Sequence, residues 1–451
     1  TLKLHLKCYN FLMMKKIGRS PTSAWIVSVS MGYGHQRTAY PLKDLAQGGK
    51  IINANDYPGI PESDRKIWEA SRQFYEFVSN FERLPLIGKP SFRIFDQFQK
   101  ILKFYPKRDL SQPTFGLKRI FSLIESGWGK HLIETLKKEQ IPFVTTFFTP
   151  AYMAEYFRYP GKIYCVVCDA DISRSWAPLN PNSSRIVYLA PTNRVVERLM
   201  FYGVPQENIF LTGYPLPKEN LGSKKLEIAR RDLTSRLLNL DPRGTYRKQY
   251  LALIKKYLGR LGKTSSRPLT IMFSIGGAGA QKEIAAKAIK SLAKRIKEGF
   301  LRFIIASGGK EETKNYFFRE LQALGLKQYI DKNVVILWDP HADRYFQKFN
   351  LVLRESDILW TKPSELSFYA ALGIPIIIAP PLGSHEEMNR EWLLNLGGGI
   401  PQEDPRYTEE LLFDALDSGR FAEAATQGFI EAEKTGTFNI EQIVARGKMR
   451  S

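Results

Sequence analysis

The 451-residue chain carries 66 Lys and Arg against 45 Asp and Glu, a formal net charge of +21, with 43% hydrophobic and 25% charged residues. That balance excludes a disordered chain, indicates two to three globular domains by length, and favours an anionic partner, with nucleic acid and acidic lipid as the two candidates. Cys8, Cys165 and Cys168 form a sparse, odd set that excludes a disulfide framework and indicates a reducing compartment, and no apolar run approaches the roughly 20 residues of a membrane-spanning helix.

Residues 1–23 read as an N-terminal extension. The opening stretch, TLKLHLKCYNFLMM, lacks the apolar core and small-residue cleavage site of a signal peptide, and Met13 or Met14 is an alternative start. The expectation is a cytoplasmic protein that touches a membrane peripherally. Trp25–Ser30 then predicts a strand and Gln36–Leu45 a helix, joined by Met31-Gly32-Tyr33-Gly34-His35. A glycine turn between strand and helix presents backbone N–H groups to an anion. Because the pattern is not G-x-G-x-x-G, it predicts no dinucleotide site.

A first α/β domain is expected over 24–217, interrupted by a helical insertion at about 57–140. From Trp68 to Phe121 the insertion interleaves aromatic residues (Phe92, Phe95, Phe98, Phe104, Tyr105) with basic ones (Arg93, Lys100, Lys103, Lys107, Arg108, Lys118, Arg119). Such interleaving suits an anionic membrane surface, with rings at headgroup level and cations on the lipid. It would also suit single-stranded nucleic acid, which is the weaker partner, or an ordinary aromatic core. Strands are then predicted at Phe143–Thr146, Ile163–Val167, Ile186–Leu189 and Ile209–Thr212. Cys165 and Cys168 have C-x-x-C spacing but lie in a strand-like run, where residues three apart face opposite sides. They read as buried strand cysteines rather than a redox or zinc site.

Residues 218–268 form a basic interdomain segment with helical stretches at Lys225–Leu238 and Tyr246–Leu261. A second α/β domain is expected over 269–404. It opens with the strand Leu269–Phe273, a loop containing Ser274, Gly276, Gly277, Ala278 and Gly279, and a helix at Glu283–Lys297. This second strand–glycine loop–helix unit fits phosphate cradling by backbone N–H groups. Further strands at Leu301–Ala306 and Val334–Leu337 end at Ser307-Gly308 and Trp338-Asp339. Residues 405–451 read as C-terminal helices.

The densest polar grouping lies in 357–394: a strand at Ile358–Trp360, the turn Thr361-Lys362-Pro363, a helical stretch with Leu366, Tyr369 and Leu372, then Gly373-Ile374-Pro375. The buried strand Ile376–Ala379 follows, and the loop Gly383-Ser384-His385-Glu386-Glu387-Met388-Asn389 opens another helix. This stretch resembles the donor-sugar site of glycosyltransferases with two facing Rossmann-like domains (GT-B). The likeness is to monogalactosyldiacylglycerol synthases, processive diacylglycerol glucosyltransferases and the peptidoglycan enzyme that adds N-acetylglucosamine to lipid I. Those families carry a similar Thr-Lys-Pro turn, a Gly-hydrophobic-Pro and a loop of the form Pro-Gly-Gln-Glu-x-x-Asn. Here Ser384 and His385 replace the loop Gly and Gln. Phe368 stands where the families place a ribose-binding Glu, and Glu365, one turn earlier, is the carboxylate that would substitute for it.

The resemblance implies a GT-B α/β fold with a helical insertion in its first domain, and transfer of a sugar from a nucleotide donor, a UDP-sugar, to a membrane lipid with inversion. No cofactor or metal is implied. The donor would lie against Ser274, Gly276–Gly279, Ser307, Gly308, Lys362, Glu365, Ser384, His385, Glu386, Glu387 and Asn389. The acceptor would lie near Gly32, Tyr33 and Gly34, and His35 or Asp169 would serve as general base. Gly213-Tyr214-Pro215 resembles the Gly-x-Pro that closes the first domain in these families. Asp169-Ala170-Asp171 has the D-x-D spacing of a metal motif from a different glycosyltransferase fold, which lacks this two-domain rhythm. Two other classes compete: a nucleotide-sugar 2-epimerase of the same architecture, and an inactive binder of nucleotide or lipid.

Overall fold

Short apolar runs bounded by glycine and polar turns become the strands of two parallel sheets in the structure, a computed structural model. It describes residues 23–81, 101–106, 109–259, 261–262, 265, 267–276 and 281–449. The first sheet contains β1 (Trp25–Ser28), β2 (Ile52–Asn53), β3 (Phe143–Thr145), β4 (Ile163–Val166), β5 (Ile186–Ala190) and β6 (Ile209–Leu211). Its spatial order is β2-β1-β3-β4-β5-β6, every pairing parallel. The second sheet contains β7 (Leu269–Ser274), β8 (Leu301–Gly308), β9 (Val334–Trp338), β10 (Ile358–Thr361), β11 (Ile376–Ile378) and β12 (Gly399–Pro401), in the order β12-β11-β10-β7-β8-β9. These are two doubly wound α/β domains, and each order reverses at one point: between β1 and β3, and between β7 and β10. Ligands of open α/β sheets bind outside the carboxyl ends of strands at such reversals.

The helices that matter for the site are α1 (Tyr33–Ala39), α2 (Glu62–Phe81), α3 (Phe115–Glu125), α4 (Lys130–Leu136), α5 (Phe148–Tyr156) and α6 (Asn193–Phe201) in the first domain. The interdomain segment carries α7 (Glu227–Leu240). The second domain carries α8 (Lys282–Lys297), α9 (Glu311–Ala323), α10 (Ala342–Arg354), α11 (Ser384–Asn395), α12 (Thr408–Asp417) and α13 (Arg420–Glu431), and α14 (Gly436–Arg446) ends the chain. Helices α2, α3 and α4 lie between β2 and β3. The aromatic run Phe92, Phe95 and Phe98 and the bases Arg93, Lys100, Lys107 and Arg108 lie outside the described residues, as do Cys8 and Gly277, Ala278 and Gly279.

Strand alternation sends one side of the first sheet to each of two cores. Val27 and Cys165 join the main core, while Ile26, Tyr164 and Val166 pack against Ile440, Ile443 and Val444 of α14. The last helix therefore covers the outer face of the first domain. Each of its buried aliphatic side chains contributes about 1.5–3 kcal/mol of hydrophobic stabilisation.

Helix α7 anchors the second domain through Arg236, together with the Asp232–Arg354 ion pair and a hydrogen bond from Asn239 to Asp357. The buried Arg236 donates to the carbonyls of Ser356, Leu372 and Leu353 at 2.8, 2.8 and 3.1 Å, where α10 and the 3-10 turn Glu365–Leu372 end. A cation among helix C-terminal carbonyls is favourable, although burial pushes its pKa down to about 10.

Several elements differ from expectation. The stretch Tyr246–Leu261 is two short helices, Thr245–Gln249 and Leu251–Leu258, because Tyr250 leaves helical geometry. The Glu365–Leu372 stretch is 3-10 rather than α-helical, and all of its residues are buried. Edge strands β2 and β12 are too short for periodicity to reveal.

Candidate functional site

Helix α1 starts three residues earlier than its apolar pattern predicts. Gly32 caps it at φ 105°, a left-handed conformation that suits glycine, so the chain leaves β1 and turns straight into the helix. His35 thus sits in the first helical turn rather than in a loop. Its ring Nδ1 lies 2.8 Å from the Thr146 carbonyl at the end of β3, and the Thr146 hydroxyl donates back to the His35 carbonyl at 3.0 Å. A carbonyl only accepts, so Nδ1 carries the proton and Nε2 keeps its lone pair. The imidazole packs on Phe147, with ring centroids 4.6 Å apart. Burial is the largest influence on it and holds its pKa below the ordinary histidine value, although Asp169, the Thr146 carbonyl and Glu365 pull upward. The ring is neutral at neutral pH, in the state a general base requires.

Cys168 and Asp169 follow β4 on the same side. The Cys168 sulfur lies 3.4 Å from His35 Nδ1, and its thiol donates to Asp169 Oδ2 at 3.6 Å. Both described cysteines are buried and free, and burial pushes the Cys168 thiol well up, so it is not a thiolate nucleophile. Asp171 turns away from Asp169 to a buried ion pair with Arg198 at 2.6 Å. The D-x-D aspartates therefore do not share one site.

The second domain meets this edge directly. Arg37, on α1, donates to Glu365 at 3.1 Å, with exposures of only 3% and 8%. Its guanidinium lies over the rings of Phe346 and Phe349 from α10, 4.7 and 4.2 Å from their centroids. The Tyr33 hydroxyl accepts from the Gly309 N–H at 2.7 Å, and its ring stacks on Tyr345. Gly308 has φ +77°, and a Cβ there would lie 3.1 Å from Tyr33. Gly34 admits Glu365, whose Oε2 would be 3.4 Å from an added Cβ. Gly32, Tyr33 and Gly34, expected to face the acceptor, thus lie where the domains touch. Glu365, expected to serve the donor, is held by Arg37. Phe368 stacks on Tyr214 at 4.6 Å, and the Tyr214 hydroxyl lies 3.0 Å from that of Thr38.

Other residues expected from the sequence to hold a donor lie at the β7/β10 reversal. Gly276 follows β7, and a Cβ there would come within 3.1 Å of the Lys362 side chain. Lys362 follows β10 and pairs with Glu386, which also accepts from the Leu382 N–H at 2.8 Å. Burial pushes the Glu386 carboxyl up, but Lys362, His385 and the Leu382 N–H override it and hold the group below the usual carboxylate range. Glu386 therefore curls back at the N-terminus of α11, beside Lys362. His385 lies on the same turn with its side chain 30% exposed, 4.0 Å from Glu386, and it acts electrostatically on His35 from the opposite domain. Ser384 accepts from the Ile101 N–H at 3.1 Å, and the Leu102 carbonyl accepts from Arg198 at 2.8 Å. Residues 101–106 of the insertion thus span from α6 to the donor-side loop. Ser274 is buried at the end of β7, the Ser307 hydroxyl donates to the Leu337 carbonyl, and Glu387 pairs with Arg390.

The fold therefore brings together His35, Asp169, Glu365, His385 and Asn389. Sequence reasoning passed over Arg37, Thr146 and the α10 rings. Arg37 carries no local signal, because its partners come from the other domain.

A family model described as a domain of unknown function (DUF6938) matches residues 256–336 and 327–440. No curated protein matches the chain. Among solved structures, MurG of Acinetobacter baumannii is similar at 12% identity, covering 94% of this chain and 100% of that one, with a TM-score of 0.47. The S. aureus MnaA–UDP co-structure is similar at 11% identity, covering 95% and 99%, with a TM-score of 0.48. The UDP-GlcNAc 2-epimerase of Neisseria meningitidis bound to UDP-GlcNAc shares 10% identity over 94% and 99%, with a TM-score of 0.44.

Proposed function

We propose that this chain is an inverting glycosyltransferase that moves a sugar from a UDP donor to a lipid acceptor. The observation that carries the reading is a neutral, half-buried His35 whose Nε2 has no hydrogen-bond partner among the described residues, and which feels His385, at the start of α11, from the opposite domain. In that reading Nε2 takes the proton of an acceptor hydroxyl as its oxygen attacks the anomeric carbon. The bond from that carbon to the diphosphate breaks, and the electron pair leaves with UDP. First-turn N–H groups of α11, the turn at Gly276 and Lys362 then stabilise the gathering charge without a metal.

A membrane lipid is supported by the net charge of +21 and by the exposed rings Tyr105 (74%) and Phe115 (69%), with exposed Lys118 and Arg119 one turn after Phe115. No helix among the described residues is long and apolar enough to cross a membrane, so contact would be peripheral. Each basic residue near an anionic surface is worth about 1 kcal/mol and is screened by salt.

A 2-epimerase is the second reading, favoured by Asp169 and Glu365 both acting on His35, since inversion at a sugar carbon needs acid and base together. One experiment separates the two. Labelled UDP-sugars are incubated with the protein in deuterated water, with lipid acceptors carried in anionic or neutral vesicles. The transferase reading expects label in the lipid phase, most on anionic vesicles at low salt. Deuterium at C2 of a soluble UDP-sugar, with no lipid label, would identify an epimerase.

A further inference from the structure

The side chain of Asn389 is buried, 0% exposed, on α11 of the second domain, yet its strongest contacts are in the first. Its Nδ2 donates to Asp169 Oδ1 at 3.0 Å and to the Pro363 carbonyl at 3.3 Å, while its Oδ1 accepts from the Ala170 N–H at 2.7 Å. Both amide hydrogens are engaged, so none is left to donate to a sugar, and the fully buried side chain offers its oxygen no open side from which to accept a sugar hydroxyl. Donor ligation, expected from the sequence, does not fit that geometry. The geometry fits a clamp: one amide reads the Asp169 carboxylate and the next backbone N–H as a pair, and ties both to the turn after β10.

We infer that Asn389 is a positioning residue that couples the donor-side helix to the general-base pair. It acts through Asp169, whose other oxygen faces Cys168 and whose charge raises the pKa of His35. Its position is three residues beyond Glu386, on the helix whose first turn pairs with Lys362. Seating of that helix is therefore transmitted to the carboxylate that opposes the effect of burial on His35. The inference rests on the glycosyltransferase reading, because it assigns His35 as the base.

Asn389→Ala removes the N–H donated to Asp169, and Asn389→Asp replaces it with a like charge. Misplacement of about 1 Å at a catalytic pair costs on the order of 10²-fold in rate. Both variants are expected to lower kcat about 10²-fold while donor KM stays within about twofold. The titratable groups facing the pair are Cys168 in the first domain and Glu365 and His385 in the second. Loss of the amide donor takes a partial positive charge from beside the Asp169–His35 pair and leaves the protonated imidazole more favoured, so the acid limb of the kcat profile should move to higher pH in Asn389→Ala. A purely structural role would lower the melting temperature and leave that limb in place.

The test is steady-state kinetics across pH on the wild type and both variants, with folding checked by circular dichroism and donor affinity by calorimetry. Asn389→Gln keeps the amide but displaces it, so it serves if the other variants do not fold; it should show the same kcat loss. A large rise in donor KM with unchanged kcat would make Asn389 a donor ligand and overturn the inference. So would an unmoved acid limb. A wild type with no transfer activity at all would instead refute the glycosyltransferase reading itself.

Discussion

His35→Ala lowers turnover by about 10²–10⁴-fold, the contribution of a positioned general base, and leaves UDP affinity nearly intact. The two effects separate because His35 belongs to the first domain and is fixed by Thr146, while the groups assigned to the diphosphate lie at the β7/β10 reversal. The wild-type pH profile carries the same signature. Burial depresses the imidazole pKa below its ordinary 6.5, so the base is lost only as pH falls through that lowered value. The acid limb of turnover should therefore lie below the usual histidine range. Steady-state kinetics between pH 4.5 and 8, values chosen on the order of two units either side of an ordinary histidine, check both points. If His35→Ala turns over normally, Asp169 becomes the base.

Arg37→Ala should destabilise the protein by about 3–5 kcal/mol, the cost of leaving one member of a buried ion pair uncompensated. The orphan would be Glu365, 8% exposed and placed between Gly34 and the first turn of the 3-10 stretch. Glu365→Gln should cost less, because a neutral amide still accepts from Arg37. Arg37→Met combined with Glu365→Leu should recover much of the loss by replacing the pair with apolar volume. Urea melts of the three variants measure this. A cost under about 1 kcal/mol for Arg37→Ala would mean that the pair is solvated, as an exposed ion pair is, and that the domains part freely in solution.

The sheets were largely legible because parallel strands are buried on both faces and read as continuous apolar runs: Leu269–Phe273, Leu301–Ala306 and Ile376–Ala379 stand out between turns. Strands β2 and β12 did not, since two or three residues at a sheet edge leave no pattern. His35 was visible because glycine flanks it at a strand end. Its environment was not, because Thr146 lies 111 positions away and Glu365 lies 328 positions from Arg37. Asn389 was found for its place in the loop pattern, but its partners could only be read once two domains were packed together. The substitution at Phe368 has a physical counterpart in its stacking on Tyr214, which fills the position with an aromatic contact between the domains.

In the proposed reaction a nucleoside diphosphate sits at the β7/β10 reversal, against Gly276, Lys362 and the start of α11. Calorimetric titration of UDP into the wild type and Gly276→Asp tests it most directly. A carboxylate there would lie beside Lys362, whose side chain is already 3.1 Å from an added Cβ, and would oppose the diphosphate by like charge. The wild type should bind UDP measurably, and the variant should lose at least about tenfold, roughly 1.4 kcal/mol. Equal affinity in the two proteins, or no UDP binding by the wild type, would contradict it.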